Sequence, residues 1–412
     1  MEDRFKKNSQ YYKFCFYGFF KNLRFFDAFL ILFFLEKGLS FLEIGVLYAV
    51  REIAIIVLEI PSGVLADALG RRKTLIASFF VYILSFLLFY FSQSYSVLVI
   101  AMFLFAFGDA FRTGVHKAMI FQYLQLNNWG KQKTDYYGHT RSWSQMGSAL
   151  SALLAGLMVF YTGNYRIIFL ASVVPYLIDM VLIASYPRYL EGERKVFSTE
   201  LIITRFQQII IAFIKTFKQL SFLRTLSNLS LYTGYYKAVK DYIQPLLKYF
   251  ALSIPVFAWL SEEKKIAVVV GVLYFFIYGL TAVASRQSGK YLQLFTRAGI
   301  AMNRSILIGL AAGIITGLTF FLHFYILAIL GFLAIVIIEN LRKPIGIALI
   351  ADLSKAEAMA TILSTQSQAK SIFAALIAIL LGWLADLLNP GTAIVIISAG
   401  LLILFPIYRL IK

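Results

Sequence analysis

The chain has 412 residues, of which 60% are hydrophobic, 17% are aromatic and only 15% are charged. So few charged residues exclude a water-soluble globular protein of this length. The formal net charge is +18, but the excess Lys and Arg residues lie in loops between apolar runs. They indicate the positive-inside bias of a membrane protein and attraction to anionic lipids, and they exclude a nucleic-acid partner.

The apolar runs alternate with short polar loops along the whole chain. A helix needs about 20 residues to cross a bilayer, and the sequence predicts twelve such segments, at residues 14–36, 41–66, 73–92, 96–122, 138–161, 166–187, 221–250, 266–285, 299–320, 324–351, 361–385 and 391–410. An even number places both termini on one side. The loops on that side carry most of the cations, so we expect a multi-pass protein of the cell membrane with both termini cytoplasmic.

The longest gap separates the sixth and seventh segments. Residues 188–220 are predicted to form a cytoplasmic linker that contains an interfacial helix, because the apolar stretch 201–215 has basic residues at its edges. The gap divides the chain into an N-terminal six-helix bundle, residues 1–187, and a C-terminal six-helix bundle, residues 221–412.

A charged stretch joins the second and third segments, and it reads Gly63-Val-Leu-Ala-Asp67-Ala-Leu-Gly70-Arg71-Arg72-Lys73. Gly63 allows close helix packing, and Gly70 supplies the positive φ of a tight turn. Asp67 lies at a helix end, where it can pair with a cation or a helix N-terminus. The letters G-x-L-A-D recur at residues 382–386 without the cations, so these letters alone are a weak signal.

The pattern G-x-L-A-D-x-x-G-R-R resembles the signature between the second and third helices of the major facilitator superfamily. The resemblance implies an all-α membrane fold of twelve helices in two pseudo-symmetric halves. It also implies a gating motif, which comprises Gly63, Asp67, Gly70, Arg71 and Arg72. The family pattern has a basic residue directly after the Asp, whereas this chain has Ala68. We therefore expect Arg71 or Arg72 to replace that cation.

The two halves contain similar short sequences. Gly18-Phe-Phe-Lys21 in the first segment resembles Gly234-Tyr-Tyr-Lys237 in the seventh, and Asp109-Ala-Phe-Arg112 in the fourth resembles Glu339-Asn-Leu-Arg342 in the tenth. Both matches are six segments apart, which preserves the direction of each helix through the membrane. The sequence thus predicts a parallel internal repeat.

Segments 1, 4, 7 and 10, which line the central cavity in the family fold, each carry an acid and a base. The pairs are Arg24 with Asp27, Asp109 with Arg112, Lys237 with Asp241, and Glu339 with Arg342. Spacings of three or four residues place both members on one helical face. Because an isolated charge in hydrocarbon costs at least ~2.5–3.5 kcal/mol, we expect these groups to face a polar cavity. The competing interpretation is that they are local ion pairs that only hold helices together.

The predicted substrate and proton cavity comprises Lys21, Arg24, Asp27, Asp109, Arg112, His116, Lys237, Lys240, Asp241, Glu339 and Arg342. Asp179 in the sixth segment is expected to be a local packing or interfacial group. The sequence has no nucleophile elbow, P-loop or metal-ligand spacing, so we predict no enzymatic activity, no cofactor and no metal.

The leading interpretation is a secondary active transporter that works by alternating access, is coupled to H⁺ and exports amphipathic compounds. The alternative is uptake or exchange of an organic anion, which the cavity Arg and Lys residues favour. A membrane-embedded enzyme is the alternative from another class, and no chemically coherent site supports it. The predicted partners are a small-molecule substrate, the coupling proton and membrane lipids, and the chain is predicted to be a monomer.

Overall fold

The computed structural model describes residues 6–129, 132–191, 199–218, 220–255, 258–352 and 359–410. Within these ranges the chain forms helices and no strand. The helices are α1 (Ser9–Lys21), α2 (Leu30–Glu36), α3 (Phe41–Leu69), α4 (Arg71–Phe91), α5 (Tyr95–Arg112), α6 (Val115–Leu126), α7 (Lys133–Thr162), α8 (Ile167–Ala184), α9 (Thr199–Lys218), α10 (Leu220–Val239), α11 (Ile243–Ser253), α12 (Glu262–Arg286), α13 (Ser288–Gln293), α14 (Ala298–Phe321), α15 (Tyr325–Asp352), α16 (Met359–Leu387), α17 (Pro390–Ile403) and α18 (Phe405–Tyr408). Short 3₁₀ turns lie at Arg188–Glu191 and Lys240–Tyr242.

Helices occupy all twelve predicted segments in the described ranges. Eight of the described helices or helix pairs are long and apolar enough to cross a membrane, and they correspond to predicted segments 3–6 and 8–11. Segment 2 contains the charged residues Glu43, Arg51, Glu52 and Glu59 within α3, which lowers its apolar character. Segments 1, 7 and 12 are each divided between two shorter helices.

Three of the predicted cavity segments are broken at their charged positions. In segment 1, Arg24 and Asp27 lie in the connection between α1 and α2. Segment 4 breaks after Arg112, where Gly114 has a φ of 86°. Segment 7 passes through the 3₁₀ turn that contains Lys240. An apolar run therefore shows the length of a span but not whether its helix is continuous.

The helices pack into two compact units. Unit 1 consists of Met1–Ala28, Ala54–Ile203 and Gly271–Tyr278, and unit 2 consists of Phe29–Ile53, Thr204–Val270 and Gly279–Lys412. These bounds follow packing in space rather than order along the chain. The division into six-helix halves at residues 1–187 and 221–412 stays a prediction.

The helix packing inside each unit follows the repeat seen in the sequence. In unit 1, α1 packs on α7, and α4 packs on both α5 and α8. In unit 2, α10 packs on α16, and α14 packs on both α15 and α17. These are the same pairings shifted by six segments.

Gly18 and Gly234 occupy corresponding places in the repeated packing. A Cβ atom on Gly18 would overlap Ser144 of α7, and a Cβ atom on Gly234 would overlap Phe373 of α16. Only glycine allows the two backbones to approach this closely. The glycines that open both copies of the repeated sequence therefore have a physical role in each unit.

The charged stretch between the second and third segments forms a one-residue turn. Asp67 lies in the last turn of α3, and α4 begins at Arg71. Gly70 stands between them with a φ of 94°, which confirms the predicted positive φ. In the linker, the predicted helix is present as α9, whereas residues 192–198 and 219 lie outside the described part of the chain.

Candidate functional site: two cationic pockets

Asp109 on α5 is the centre of a charge cluster in unit 1. Its Oδ1 atom lies 3.2 Å from Nη2 of Arg24 and 3.2 Å from Nη2 of Arg112. It also accepts a hydrogen bond from the hydroxyl group of Tyr82 on α4. Asp109 is buried, so these donors replace the water that its carboxylate loses. One carboxylate thus contacts two guanidinium groups.

Two tyrosines orient the guanidinium groups of this cluster. Nε of Arg24 donates to the hydroxyl oxygen of Tyr176 at 2.9 Å, and Nε of Arg112 donates to that of Tyr82 at 3.1 Å. The predicted pair of Asp109 and Arg112 is therefore formed. Arg24 was paired with Asp27 in the prediction, but it binds Asp109 from another helix, while Asp27 lies half-buried in the connection after α1.

A cavity of about 290 Å³ lies beside this cluster, within unit 1. Its basic lining residues are Lys21, Arg112, Lys117 and Arg141, and no Asp or Glu is among the described residues that line it. His116 and the aromatic side chains Phe14, Tyr17 and Tyr137 also contribute to the wall. The cavity can hold a small molecule, and its charged lining favours a negatively charged one.

His116 is held firmly in the wall of this pocket. Its ring stacks on the ring of Tyr17 with centroids 3.5 Å apart, and its Nε2 atom lies 3.1 Å from the hydroxyl oxygen of Tyr186. Phe14 meets the imidazole edge to face. These contacts fix the orientation of the ring and make it a rigid part of the pocket.

Glu339 and Arg342 on α15 do not form the predicted pair within the described part of the chain. Nε of Arg342 donates to Oγ of Ser305 at 3.2 Å. Its Nη2 donates to the backbone oxygen of Asn228 at 3.1 Å and to Oδ1 of the same residue at 3.0 Å. The guanidinium carbon lies 4.7 Å from the ring centroid of Tyr232. The neighbouring helices α10 and α14 thus supply neutral hydrogen-bond acceptors. The spacing of residues within α15 alone could not predict these partners.

Two buried atoms of this cluster have no hydrogen-bond partner in the described ranges. Arg342 is 1% exposed and Glu339 is 3% exposed. Thr233 donates to Oε1 of Glu339 at 2.9 Å, but Oε2 of Glu339 and Nη1 of Arg342 are unpartnered. Buried polar groups without partners are rare and costly. Arg342 also lines a pocket, so its free Nη1 is a candidate ligand-binding group.

Lys237 and Asp241 in segment 7 also differ from their predicted pairing. Nζ of Lys237 lies 2.6 Å from Oε2 of Glu52 on α3. Asp241 instead pairs with Lys240 at 2.9 Å and accepts a hydrogen bond from the hydroxyl group of Tyr48 at 2.9 Å. The i,i+4 argument fails here because the helix gives way to a 3₁₀ turn between Lys237 and Asp241.

A second cavity, of about 150 Å³, lies within unit 2. Its basic lining residues are Lys237, Arg342, Lys343 and Lys370, and the described part of its lining contains no acidic residue. Lys237 and Arg342 occupy the places in the sequence repeat that Lys21 and Arg112 occupy in unit 1. The two pockets are therefore built on repeated positions and share the same sign of charge.

The cations of the loop between α3 and α4 bind other parts of unit 1. Arg71 donates to Oε1 of Gln122 at 2.5 Å. Arg72 donates to the backbone oxygen of Tyr186 at 3.1 Å and forms an ion pair with Glu191 at 3.1 Å. Asp67 is not among the partners described for either arginine. The loop therefore contacts the ends of segments 4 and 6. Gly63, the first residue of the predicted gating motif, lies within α3.

Sequence reasoning missed several residues that orient the charged groups. They are neutral side chains inside apolar segments, namely Tyr82, Tyr176, Asn228, Thr233 and Ser305. A polar side chain in an apolar run is the only signal that could have identified them. That signal does not say which partner each one binds.

An internal repeat of membrane-spanning segments is typical of secondary transporters. The profile of the Major Facilitator Superfamily matches residues 14–367, and this chain belongs to that family. It is accordingly a multi-pass membrane protein of a transporter family with an all-α fold. The predicted family and fold class are confirmed.

Proteins of known sequence or structure are similar to this chain. A Bacillus subtilis (strain 168) protein described as the uncharacterized MFS-type transporter YxaM is 30% identical over 131 residues, which is 32% of this chain and 33% of that relative. The match thus spans about a third of the relative's length. The structure of the nucleoside transporter NupG is similar with a TM-score of 0.72 and 12% identity, covering 97% of this chain and 96% of that one.

A second solved structure is that of a peptide transporter POT in complex with sulfate. It has a TM-score of 0.68 and 15% identity, and the similarity covers 98% of this chain and 95% of that one. At such low identities these similarities show the fold alone. The substrate must be argued from the pockets of this chain.

Proposed function

We propose that this protein moves a small organic anion across the membrane by alternating access. The observation that carries the proposal is the charge of the two pockets. Each pocket is lined by four Lys or Arg residues, and the described lining of neither contains an Asp or Glu. A carboxylate or phosphate group on the substrate would supply the missing negative charge.

Three of the pocket cations, Arg112, Lys237 and Arg342, differ in the groups that they bind. In unit 1, Arg112 shares the single carboxylate of Asp109 with Arg24. In unit 2, Lys237 is paired with Glu52, while Arg342 is held by uncharged acceptors. A guanidinium group binds a carboxylate or phosphate through two parallel hydrogen bonds, so arginine suits anion recognition better than lysine. Arg112 and Arg342 are therefore the proposed anchors for the anion.

We also propose that H⁺ is the coupling ion. Buried carboxyl groups lie on the same segments as the pocket cations, notably Asp109, Asp241 and Glu339. Ionisable groups inside a membrane protein commonly mark proton or substrate routes. Proton coupling would allow a gradient across the cell membrane to drive accumulation of the anion.

A flux assay in proteoliposomes tests this function. Wild-type protein would be challenged with an imposed pH gradient and a panel of radiolabelled monocarboxylates, dicarboxylates, organic phosphates and lipophilic cations. We expect flux of at least one anionic class, and a large reduction in that flux in Arg112→Gln and Arg342→Gln. Arg166→Gln is the matched control, because Arg166 lines a different cavity beside Tyr90 and Asn164. Flux of cations alone would refute anion transport.

Export of amphipathic compounds is the second candidate function. Phe14, Tyr17 and Tyr137 form an aromatic part of the unit 1 pocket wall, and aromatic rings bind apolar parts of a substrate. The same liposomes separate the two functions. Proton-driven movement of uncharged or cationic amphipathic compounds, without anion flux, would establish this candidate instead.

A further inference from the structure

One face of α8 is turned towards α1. The hydroxyl group of Tyr176 donates to the backbone oxygen of Lys21 at 3.2 Å, and that of Tyr186, just beyond the helix, donates to the backbone oxygen of Lys13 at 3.4 Å. Asp179 lies three residues after Tyr176 and seven before Tyr186. Tyr176 and Asp179, three residues apart within α8, share one helical face. Asp179 therefore also faces α1, between the two tyrosine contacts.

Asp179 is the least satisfied carboxyl group in the described part of the chain. Its exposed fraction is 0%, and neither Oδ1 nor Oδ2 has a hydrogen-bond partner among the described residues. Asp109, by contrast, is bound by Arg24, Arg112 and Tyr82. An ionised carboxylate that is buried without partners is very costly, and such a group takes up a proton instead.

The charged groups that interact electrostatically with Asp179 are Lys21 of α1 and Arg112 of α5. The tyrosines that do so are Tyr17 of α1 and Tyr186 after α8. Helices α4 and α7 also pack on α8, but within the described ranges they contribute no charged group to Asp179. Lys21 and Arg112 line the unit 1 pocket, whereas Asp179 does not. Asp179 thus acts on two cations of the pocket without belonging to the described lining.

We propose that Asp179 is the proton-binding group of this transporter and that its protonation sets the anion affinity of the unit 1 pocket. When Asp179 is ionised, its negative charge cancels part of the positive potential of Lys21 and Arg112. When it takes up a proton from water, the carboxyl group becomes neutral, and the full potential of both cations acts on the anion.

The consequence is that proton and anion bind together. Protonation of Asp179 raises anion affinity, and by linkage a bound anion raises the proton affinity of the same group. Joint binding is what symport requires, whereas exchange of the anion against a proton would require the opposite sign. This inference rests on the proposed transport of an anion, and it adds the residue and the sign of the coupling.

Infrared difference spectroscopy tests the proton site without any substrate. Purified protein in lipid nanodiscs would be titrated from acid to alkaline pH while the C=O stretching band of protonated carboxylic acids is recorded. We expect a band from a buried carboxylic acid that is present in wild type and absent in both Asp179→Asn and Asp179→Leu. Glu262→Gln, which removes an exposed carboxyl group, should retain it. Persistence of the band in both Asp179 variants would overturn the proposal.

Equilibrium binding tests the coupling, with radiolabelled sulfate as the probe. Wild type should bind sulfate more weakly at alkaline than at acid pH, by a factor on the order of tenfold for one unit charge near the site. Asp179→Asn mimics the protonated form, so its affinity should be independent of pH and should match the acid value. A variant that keeps the wild-type pH dependence would refute the role of Asp179.

The two assays separate this inference from the proposed function. Loss of the infrared band in the Asp179 variants together with pH-dependent anion binding supports both. If wild type transports an anion but the band survives in Asp179→Asn, only the assignment of the proton site fails. If Asp179 titrates but no anion in the panel is transported or bound, the coupling to anion affinity is wrong and the proposed function fails with it.

Discussion

The carboxylate of Asp386 binds the first backbone N–H group of α3, which belongs to Phe41. Oδ1 of Asp386 accepts this hydrogen bond at 2.7 Å, and Oδ2 accepts a second one from the N–H of Leu42 at 2.7 Å. A side chain near the end of α16 therefore caps the beginning of another helix in the same unit. A negative charge there also interacts favourably with the helix dipole. Gly382, one turn earlier, allows the close approach, since a Cβ atom there would overlap the backbone oxygen of Phe41.

We expect Asp386→Ala to reduce the stability of the protein by about 0.5–2 kcal/mol, the usual cost of losing an N-cap. Asp386→Asn should lose less, because its amide oxygen can still accept one of the two bonds. Thermal unfolding in detergent would measure both, with Glu262→Ala as a control for loss of an exposed acid. Equal unfolding temperatures in wild type and Asp386→Ala would show that the cap contributes nothing.

Removal of the shared counter-ion in unit 1 should have a larger effect. Asp109→Asn leaves Arg24 and Arg112 without the carboxylate that both contact. Loss of one partner from a buried ion pair typically costs about 3–5 kcal/mol, so we predict a marked fall in the unfolding temperature. The double variant Arg24→Gln with Asp109→Asn should recover part of it, because it also removes one uncompensated charge. Additive losses in the double variant would contradict coupling between the two residues.

The sequence predicted the fold well, because membrane helices leave two strong signals. Apolar length marked all twelve segments, and the G-x-L-A-D-x-x-G-R-R pattern marked the turn at Gly70. The repeats that begin at Gly18 and Gly234 predicted positions that the packing confirms. The breaks after Arg112 and at Lys240 were not predictable, since composition does not distinguish a broken span from a continuous one.

The sequence predicted which charged residues belong to the candidate site, but it predicted only some of the contacts that they make. Spacing along one helix identified Asp109 with Arg112, and this pair is present. The same rule failed for Lys237, whose partner Glu52 lies on a distant segment of the sequence. It also gave no indication that Asp179 is fully buried without hydrogen-bond partners among the described residues. Contacts between helices depend on how each helix is rotated about its axis and how deep each residue lies in the membrane. The spacing of residues along the sequence gives neither quantity.

Membrane orientation yields a prediction that needs no substrate. We expect α9 to face the cytoplasm and the start of α12 to face outward, because loops rich in Lys and Arg remain inside. In a Cys15→Ser background, Glu200→Cys should resist an impermeant thiol reagent on intact cells, whereas Glu262→Cys should react. Both positions are exposed. Reaction at Glu200→Cys without cell lysis would reverse the predicted topology.

Asp67 tests the gating role of the loop between α3 and α4. We predict that Asp67→Asn folds and inserts normally but transports slowly, because the amide lacks the charge that a helix end or cation attracts. Lys73→Gln, which changes an exposed cation two residues into α4, is the matched control and should transport normally. Initial flux rates at equal protein levels measure the effect, and an unimpaired Asp67→Asn would exclude a gating role for this carboxylate.

Arg342 provides the sharpest test of the unit 2 pocket. Its Nε and Nη2 atoms are occupied by Ser305 and Asn228, while Nη1 has no hydrogen-bond partner among the described residues. A lysine carries its N–H donors on a single nitrogen atom, so it lacks the planar fork that reaches Ser305, Asn228 and an anion in different directions. We therefore predict that Arg342→Lys weakens anion binding by about tenfold to a hundredfold, the equivalent of one hydrogen bond to a charged group.

The matched controls distinguish loss of an anion contact from loss of packing. Ser305→Ala removes one acceptor that orients Arg342 but keeps its guanidinium group, so its effect on anion binding should be smaller than that of Arg342→Lys. Arg166→Lys, at a separate cavity, should bind normally. Equilibrium binding of the transported anion, with thermal unfolding measured on the same samples, gives both readouts. If Arg342→Lys binds as tightly as wild type while remaining folded, Arg342 only holds α15 against α10 and α14, and the anion must bind among the cations of the unit 1 pocket.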